Sequence, residues 1–262
     1  MSEQTMNFTK ADYEAAIAVL GRSEAGKPVG IVNLTDEQVM ALDGVQAVQP
    51  TPMPWLDAQG DVDKELVVKV ALRALLSQGL VVPASRGEGK DVGIDAIPDL
   101  TGTLVLRRTA QAILSAERVT TLGRHWVYCY VHEGYGILEE EVATSGHHTF
   151  SVYPEAYLGE RLEQFLDPTS AAIMAGKPRT FTVQEFEATA PNLPELNEAL
   201  TVTVLSVAKA GAELIRNVTV YSGPRGVFTV QGDLRDGVDD HLVLTEVGGA
   251  VVRGLPGKLL AA

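Results

Sequence analysis

The sequence predicts an α+β protein: a central antiparallel sheet built from two pseudo-two-fold-related meander-plus-helix units and flanked by helical subdomains. Three observations carry this. From Glu117 the hydrophobic pattern switches to period two, and Trp126, Tyr128 and Tyr130 alternate with Val127, Cys129 and Val131. Both faces of that strand are apolar, so it needs cover on both sides. The end of the chain resembles its middle. Arg118-Val119-Thr120-Thr121-Leu122-Gly123 matches Asn217-Val218-Thr219-Val220-Tyr221-Ser222-Gly223, with glycines 100 residues apart. His148-Thr149-Phe150-Ser151-Val152 matches His241-Leu242-Val243-Leu244-Thr245 at an offset of 93, which then pairs Leu158 with Val251, Leu162 with Leu255 and Leu166 with Leu259. Each unit reads as about three strands closed by a helix, with a helix before it, and two copies suit a paired lobe rather than a solenoid.

The elements follow in order. Thr9 with Asp12 forms a capping box, Phe8 and Tyr13 take the staple positions, and Tyr13, Ile17 and Leu20 form one apolar stripe that Gly21 ends. Val29 to Val32 is a brief strand. Thr35 and Gln38 repeat the capping grammar for a short helix stopped by Gly44. Gln49 to Pro54 is a proline-broken connector leading into Trp55-Leu56. Leu66 to Gln78 is a helix with Gly79 as its stop and Leu80 packing back. Val81-Val82-Pro83 reads as a short strand, Ala84 to Asp91 as an exposed loop, and Leu100 to Leu114 as a further helix. After Trp126 to Val131, His132 to Gly136 makes a turn, and Ile137 to Val142 and Thr149 to Tyr153 are strands. Leu158, Leu162, Phe165 and Leu166 mark an amphipathic helix. Asp167 to Arg179 is a connector, Thr182 and Glu185 cap a helix that Pro191 and Pro194 break, and Ala199 to Ile215 reads as an apolar helix.

Composition narrows the function. The 262 residues carry a formal net charge of −13. A chain so acidic repels phosphate backbones, so nucleic acid is not an expected partner. Hydrophobic residues at 45% exclude wholesale disorder. One cysteine, Cys129, excludes an internal disulfide and a zinc site of several thiolates. The polar, acidic start lacks the order of a signal peptide, and no apolar run reaches the ~20 residues of a membrane helix. The expected location is the cytoplasm, without membrane insertion.

No motif carries catalytic chemistry. Gly21 to Lys27 has the spacing of a phosphate loop, but a helix precedes it and Pro28 stands where Ser or Thr would bind magnesium. Gly87-Glu88-Gly89-Lys90 opens no helix. No Gly-x-Ser-x-Gly elbow and no His-Glu-x-x-His helix occurs, so no catalytic, cofactor or metal residue is assigned. His125, His132, His147, His148 and His241 read as strand-end or turn histidines. Glu139-Glu140-Glu141 reads as a solvated strand edge. A mid-strand Cys129 reads as inert core.

Several segments together resemble the EspG-like family of type VII secretion substrate chaperones of actinobacteria: Trp55-Leu56, Leu72-Arg73-Ala74-Leu75-Leu76-Ser77-Gln78-Gly79-Leu80-Val81, the leucine-rich helix from Leu100, Ala116-Glu117-Arg118-Val119, Tyr221-Ser222-Gly223-Pro224-Arg225-Gly226-Val227 and the closing helix to Leu260. The resemblance starts at about Trp55. It implies a single domain over 1–262: a mainly helical part to 116, a first strand-helix unit over 117–168, a connecting helical part over 169–216 and a second strand-helix unit over 217–262. It implies a non-enzymatic chaperone or adaptor for a helical secreted client, PE–PPE or WXG100-like. Trp126, Tyr128, Tyr130, Glu139, Glu141 and Phe228 are the expected partner-binding residues, on the less covered side of the sheet. Apolar sheet edges and faces also admit a homodimer. Two alternatives stand beside this reading: an enzyme whose site is assembled around His125, His147 and His148, and a winged-helix regulator using Leu66 to Leu114.

Overall fold

The computed structural model describes residues 8–85, 92–211, 215–232 and 241–261. In chain order come α1 (Lys10–Leu20), β1 (Val29–Thr35), α2 (Asp36–Asp43), α3 (Pro54–Asp57), α4 (Lys64–Ser77), the hairpin β2 (Val81–Ser85) and β3 (Val92–Ala96), and α5 (Pro98–Thr109). Strands β4 (Ala112–Thr120), β5 (Gly123–His132), β6 (Gly136–Ala143) and β7 (His147–Tyr153) lead into α6 (Leu158–Leu166). Then follow β8 (Arg179–Thr182), α7 (Val183–Thr189), α8 (Pro194–Asn197), β9 (Thr201–Lys209), β10 (Arg216–Gly223), β11 (Gly226–Gly232), β12 (His241–Glu246) and α9 (Gly249–Ala261). The chain is α+β, with a large antiparallel sheet. Two compact units divide it: the first holds the chain up to Ala110 with His132–Pro154, the second Gln111–Val131 with Glu155 onward.

In the first unit β1, β7 and β6 lie side by side, antiparallel, with Val29 opposite Val152 and Leu138 opposite Val152's other flank. The capping chemistry read from the sequence is present. Asp12 accepts the Thr9 N–H at 2.8 Å, and Gln38 accepts the Thr35 N–H at 3.0 Å. Helix α4 ends in a Schellman motif: Gly79 at φ 71° donates to Leu76 O at 3.1 Å and Leu80 to Leu75 O at 3.0 Å. The α1 stripe is corrected. Tyr13 and Ile17 are exposed, and the buried face is Ala16, Val19 and Leu20. The small residues of that face let α1 come down on α5 at Gly102. A Cβ there would lie 2.6 Å from Ala15 O and 2.8 Å from Val19 Cγ2, a clash with backbone that no rotamer change relieves. Gly102→Ala should therefore lower stability by about 1–3 kcal/mol, despite the better helix propensity of alanine. Urea unfolding measures it; an unchanged midpoint would refute the close approach.

In the second unit the strand order is β5-β4-β9-β10-β11-β12-β8, antiparallel throughout. The pairing of β4 with β9, Leu114 opposite Val207, joins strands of the middle of the sequence to strands of its end in one antiparallel sheet, through a strand whose sequence reads as helix. Opposed residues share a face. One face carries Ala112, Leu114, Ala116, Leu205, Val207, Val218, Val220 and Val227, all buried, beneath α6 and α9. Leu158, Leu162, Phe165 and Leu166 of α6 are buried as that stripe predicts, and so are Leu255 and Leu259 of α9. Val251, paired in sequence with Leu158, is exposed, and its neighbour Val252 is buried instead.

Three element assignments change. Ala199 to Ile215 is not a helix; it contains β9, whose Thr201, Thr203, Leu205 and Val207 are buried while Val202, Val204 and Ser206 are not. That alternation is period two, and β-branched Thr and Val lose χ1 freedom in a helix but fit a pleated sheet. The helix from Leu100 stops at Thr109, and Ala112 to Leu114 already belongs to β4. Between α4 and α5 the short strand read at Val81-Val82-Pro83 extends to Ser85 and pairs with a second strand, β3, in a hairpin, so the segment Leu66 to Leu114 is helix, hairpin, helix and the start of a strand. Residues 86–91, with Gly87 to Lys90, lie outside the described residues. In chain order each meander has four strands before its closing helix, β4 to β7 before α6 and β9 to β12 before α9.

Candidate functional site

The second unit's sheet has an outer face, opposite α6 and α9. Register places Trp126, Tyr128 and Tyr130 of β5 on it, opposite Glu117, Ser115 and Ile113 of β4. Across β9 the row continues as Val204, Ser206 and Ala208; on β10 Thr219 stands opposite Val204, Asn217 opposite Ser206 and Tyr221 opposite Val202. Tyr221 stands opposite Phe228 of β11, which stands opposite Glu246 of β12. One end of this face is covered. Leu196, Val230 and Leu244 form a buried cluster there, with Phe181, Phe186, Leu193, Tyr221, Phe228 and Leu242 packed on it from α7, α8 and the strands. Between that cover and β5 the strip stays open: Val119 is 41% and Val204 39% exposed, with Ser115, Tyr128, Val202 and Ser206 half-buried. Apolar residues on a half-exposed sheet face suit docking of another apolar element. They offer nothing to chemistry.

The first unit holds a different feature, a buried network of charges. Arg107 of α5 donates from Nε to Glu140 Oε2 at 2.8 Å and from Nη2 to Glu140 Oε1 at 3.1 Å. Its Nη1 reaches Asp43 Oδ2 of α2 at 3.0 Å, and Nη2 also reaches Thr51 Oγ1 at 3.1 Å. Arg108 adds a second guanidinium 2.7 Å from the same Asp43 oxygen. Thr51 donates to Glu140 Oε1 at 3.1 Å. On the other side of Glu140 stands His148 of β7, its Nδ1 2.7 Å from Glu140 Oε1 and its Nε2 2.8 Å from Asp36 Oδ1. Asp36 Oδ2 accepts the backbone N–H groups of Trp55 and Leu56, at 2.8 and 3.0 Å. The side chains of Asp36, Arg107, Glu140 and His148 have no solvent exposure.

Burial raises the Glu140 carboxyl, but the Arg107 charge and the bonds from His148 and Arg107 outweigh it and hold it at about 2. Burial likewise lowers His148, and the two carboxylates overcome it and raise the imidazole above its ordinary value. His132 shows the opposite balance: burial lowers it, against one bond to Leu106 O at 3.1 Å. Among the described residues no group of three or more His, Cys, Asp or Glu is arranged to hold a metal ion.

No protein-family model matches the chain, and no curated protein matches it in sequence. Among solved structures it is similar to the Mycobacterium tuberculosis type VII secretion system chaperone EspG5, determined in complex with a PE25–PPE41 dimer. The identity is 10%, the match spans 87% of this chain and 95% of that one, and the TM-score is 0.57. The chain has an EspG-like fold.

Within this EspG-like fold the expected partner-binding residues divide. Trp126, Tyr128, Tyr130 and Phe228 share the outer sheet face by register, while Tyr130 is fully buried and Trp126 nearly so. Val227, next to Phe228, faces the α6–α9 side. Glu139 is buried and accepts the Tyr153 hydroxyl at 2.8 Å; Glu141 is half-buried on β6. The solvated edge read for Glu139-Glu140-Glu141 is overturned, because Tyr153, Arg107 and His148 supply the partners that let carboxylates leave water. His148 is likewise no ordinary strand-end histidine. His147 and His148 alternate on β7, the first exposed beside Ser145 Oγ and the second buried, so they do not converge on one site. His125 belongs to the second unit, against Phe165. No helix of the described residues is long and apolar enough to cross a membrane.

Proposed function

We propose that this chain is a non-enzymatic, cytoplasmic chaperone or adaptor that binds an apolar helical segment of a secreted client of a type VII-like system, PE–PPE or WXG100-like. The observation that carries the reading is the EspG-like fold over 87% of the chain, together with the PE25–PPE41 dimer held by the solved chaperone of that fold. The open strip of the outer sheet face supports it. Val119, Val202 and Val204, bordered by Tyr128, give an apolar floor that a helix with anchors at i, i+3 and i+7 fits without any reactive side chain.

The test is co-expression with PE–PPE and WXG100-like pairs from the same genome, followed by size-exclusion chromatography with light scattering. A one-to-one complex with a pair is expected, and Val204→Lys should weaken it at least tenfold. That residue is exposed and stands opposite Glu117, so the lysine is tolerated in the free protein and its melting temperature should move little. In the complex the same charge is buried against an apolar helix. A chain that stays free beside every such pair from its own genome would end the proposal. The same chromatogram decides the homodimer.

A further inference from the structure

We propose that His148 is a proton-dependent latch that fastens α2 and the Trp55 segment to β6 and β7 of the first unit, and that loss of its proton releases that segment. A neutral imidazole offers one N–H and one lone pair, whereas a carboxylate only accepts. Carboxylate oxygens face both ring nitrogens of His148, at 2.7 and 2.8 Å, so the imidazolium alone satisfies the site. The neutral ring would aim a lone pair at one of them in an interior that screens little.

The charges around His148 come from α2, α5 and β6, while β1, paired with it at Leu34, carries none. Helix α2 supplies Asp36 and Asp43, α5 supplies Arg107 with Arg108 on Asp43, and β6 supplies Glu140; Thr51 contributes an uncharged hydroxyl. Three carboxylates thus meet two guanidinium groups and one imidazolium. Removing the imidazolium proton leaves one buried negative charge in excess, and the paired carboxylates raise the proton's affinity as already described. For a raised histidine the sign is fixed. Its stabilisation is complete below the ordinary value of 6.5 and is lost as pH rises through the higher folded value.

Asp36 transmits the change. One of its oxygens accepts a hydrogen bond from the protonated His148 Nε2, and the other accepts the N–H groups of Trp55 and Leu56. Its own N–H donates to Gly146 O at 2.9 Å, in the β6–β7 turn, where a Cβ on Gly146 would fall 2.5 Å from Trp55 Cβ. Trp55 in turn forms one wall of an apolar cavity of about 480 Å³ along α4, with Leu66, Val67, Val70 and Ala74. The position of that wall is what the latch controls.

The experiment uses the full chain, with imidazole ¹⁵N spectra from pH 5 to 10 and amide hydrogen exchange at each pH. Both His148 nitrogens should carry protons at pH 6, with one titration midpoint above 6.5. Protection of the Trp55 and Leu56 amides, corrected for intrinsic exchange, should fall at least tenfold across that midpoint. In His148→Gln, which keeps one donor and one acceptor, protection should be lower throughout and lack that step. A single-proton neutral ring at pH 6, or amide protection that passes unchanged through the midpoint, would overturn the proposal. The wild-type measurements decide it even where the variant does not fold.

Discussion

Replacing Arg107 with methionine should cost about 3–5 kcal/mol of folding stability, the range for removing one partner of a buried ion pair. Arg107 and Glu140 have no exposure, and three guanidinium nitrogens of Arg107 bond to Glu140, Asp43 and Thr51. Methionine preserves much of the apolar volume but takes the guanidinium partner from a Glu140 carboxylate that has no solvent exposure. Asp43 is affected less, because Arg108 stays 2.7 Å away. Urea unfolding at pH 7 reads the loss, and a cost under ~1 kcal/mol would contradict the network. Adding Glu140→Leu should restore part of it, since removing both partners abolishes the unpaired charge.

Acid supplies an independent reading of the same bonds. Glu140 is depressed from 4.5 to about 2, so its contribution is present above 4.5 and disappears as pH falls through about 2. A shift of that size corresponds to roughly 3 kcal/mol at about 1.4 kcal/mol per pH unit. Stability of the native chain should thus fall between pH 5 and 2, and the corresponding slope should be shallower in Arg107→Met. Equal slopes in the two proteins would assign the acid loss to other carboxylates.

What the sequence made legible was local. Capping boxes at Thr9, Thr35 and Thr182, the Gly79 stop and the α6 stripe involve residues within a few positions of each other, where geometry follows from spacing. Strand β9 was legible in principle, through Thr201-Val202-Thr203-Val204, but a short run apolar at nearly every position satisfies both periods. The boundary between α5 and β4 carries neither Gly nor Pro, so the helix reading ran on to Leu114. Strand β8 is four residues long and exists because β12 offers it an edge, Thr182 opposite His241. The charge network was beyond reach for a different reason. Glu140 meets Arg107 across 33 positions and His148 meets Asp36 across 112. Taken alone, Glu139-Glu140-Glu141 has the composition of a wet edge, and only the tertiary partners make burial affordable. The aromatic row Trp126, Tyr128, Tyr130 was placed on one face correctly, but how much of each ring is covered depends on elements far away in the chain.

Leu162→Ala should cost about 2–5 kcal/mol, and Leu255→Ala a comparable amount. Leu162 is fully buried on α6 and Leu255 is 4% exposed on α9, two helices packed on each other beneath the second unit's sheet. Truncation removes apolar area from the core and leaves a cavity that rigid strands on one side cannot close. The two substitutions act on neighbouring helices, so their combined effect should depart from the sum if the cavities share a wall. Chemical denaturation of both single variants and the double variant measures this. Values below ~1 kcal/mol for each would mean that α6 and α9 do not form the cover of that sheet. Because Val204 lies on the opposite face, a Leu162→Ala protein that still folds should retain client binding while Val204→Lys loses it. Loss of binding in both would place the client on the helical side and move the site away from the open strip.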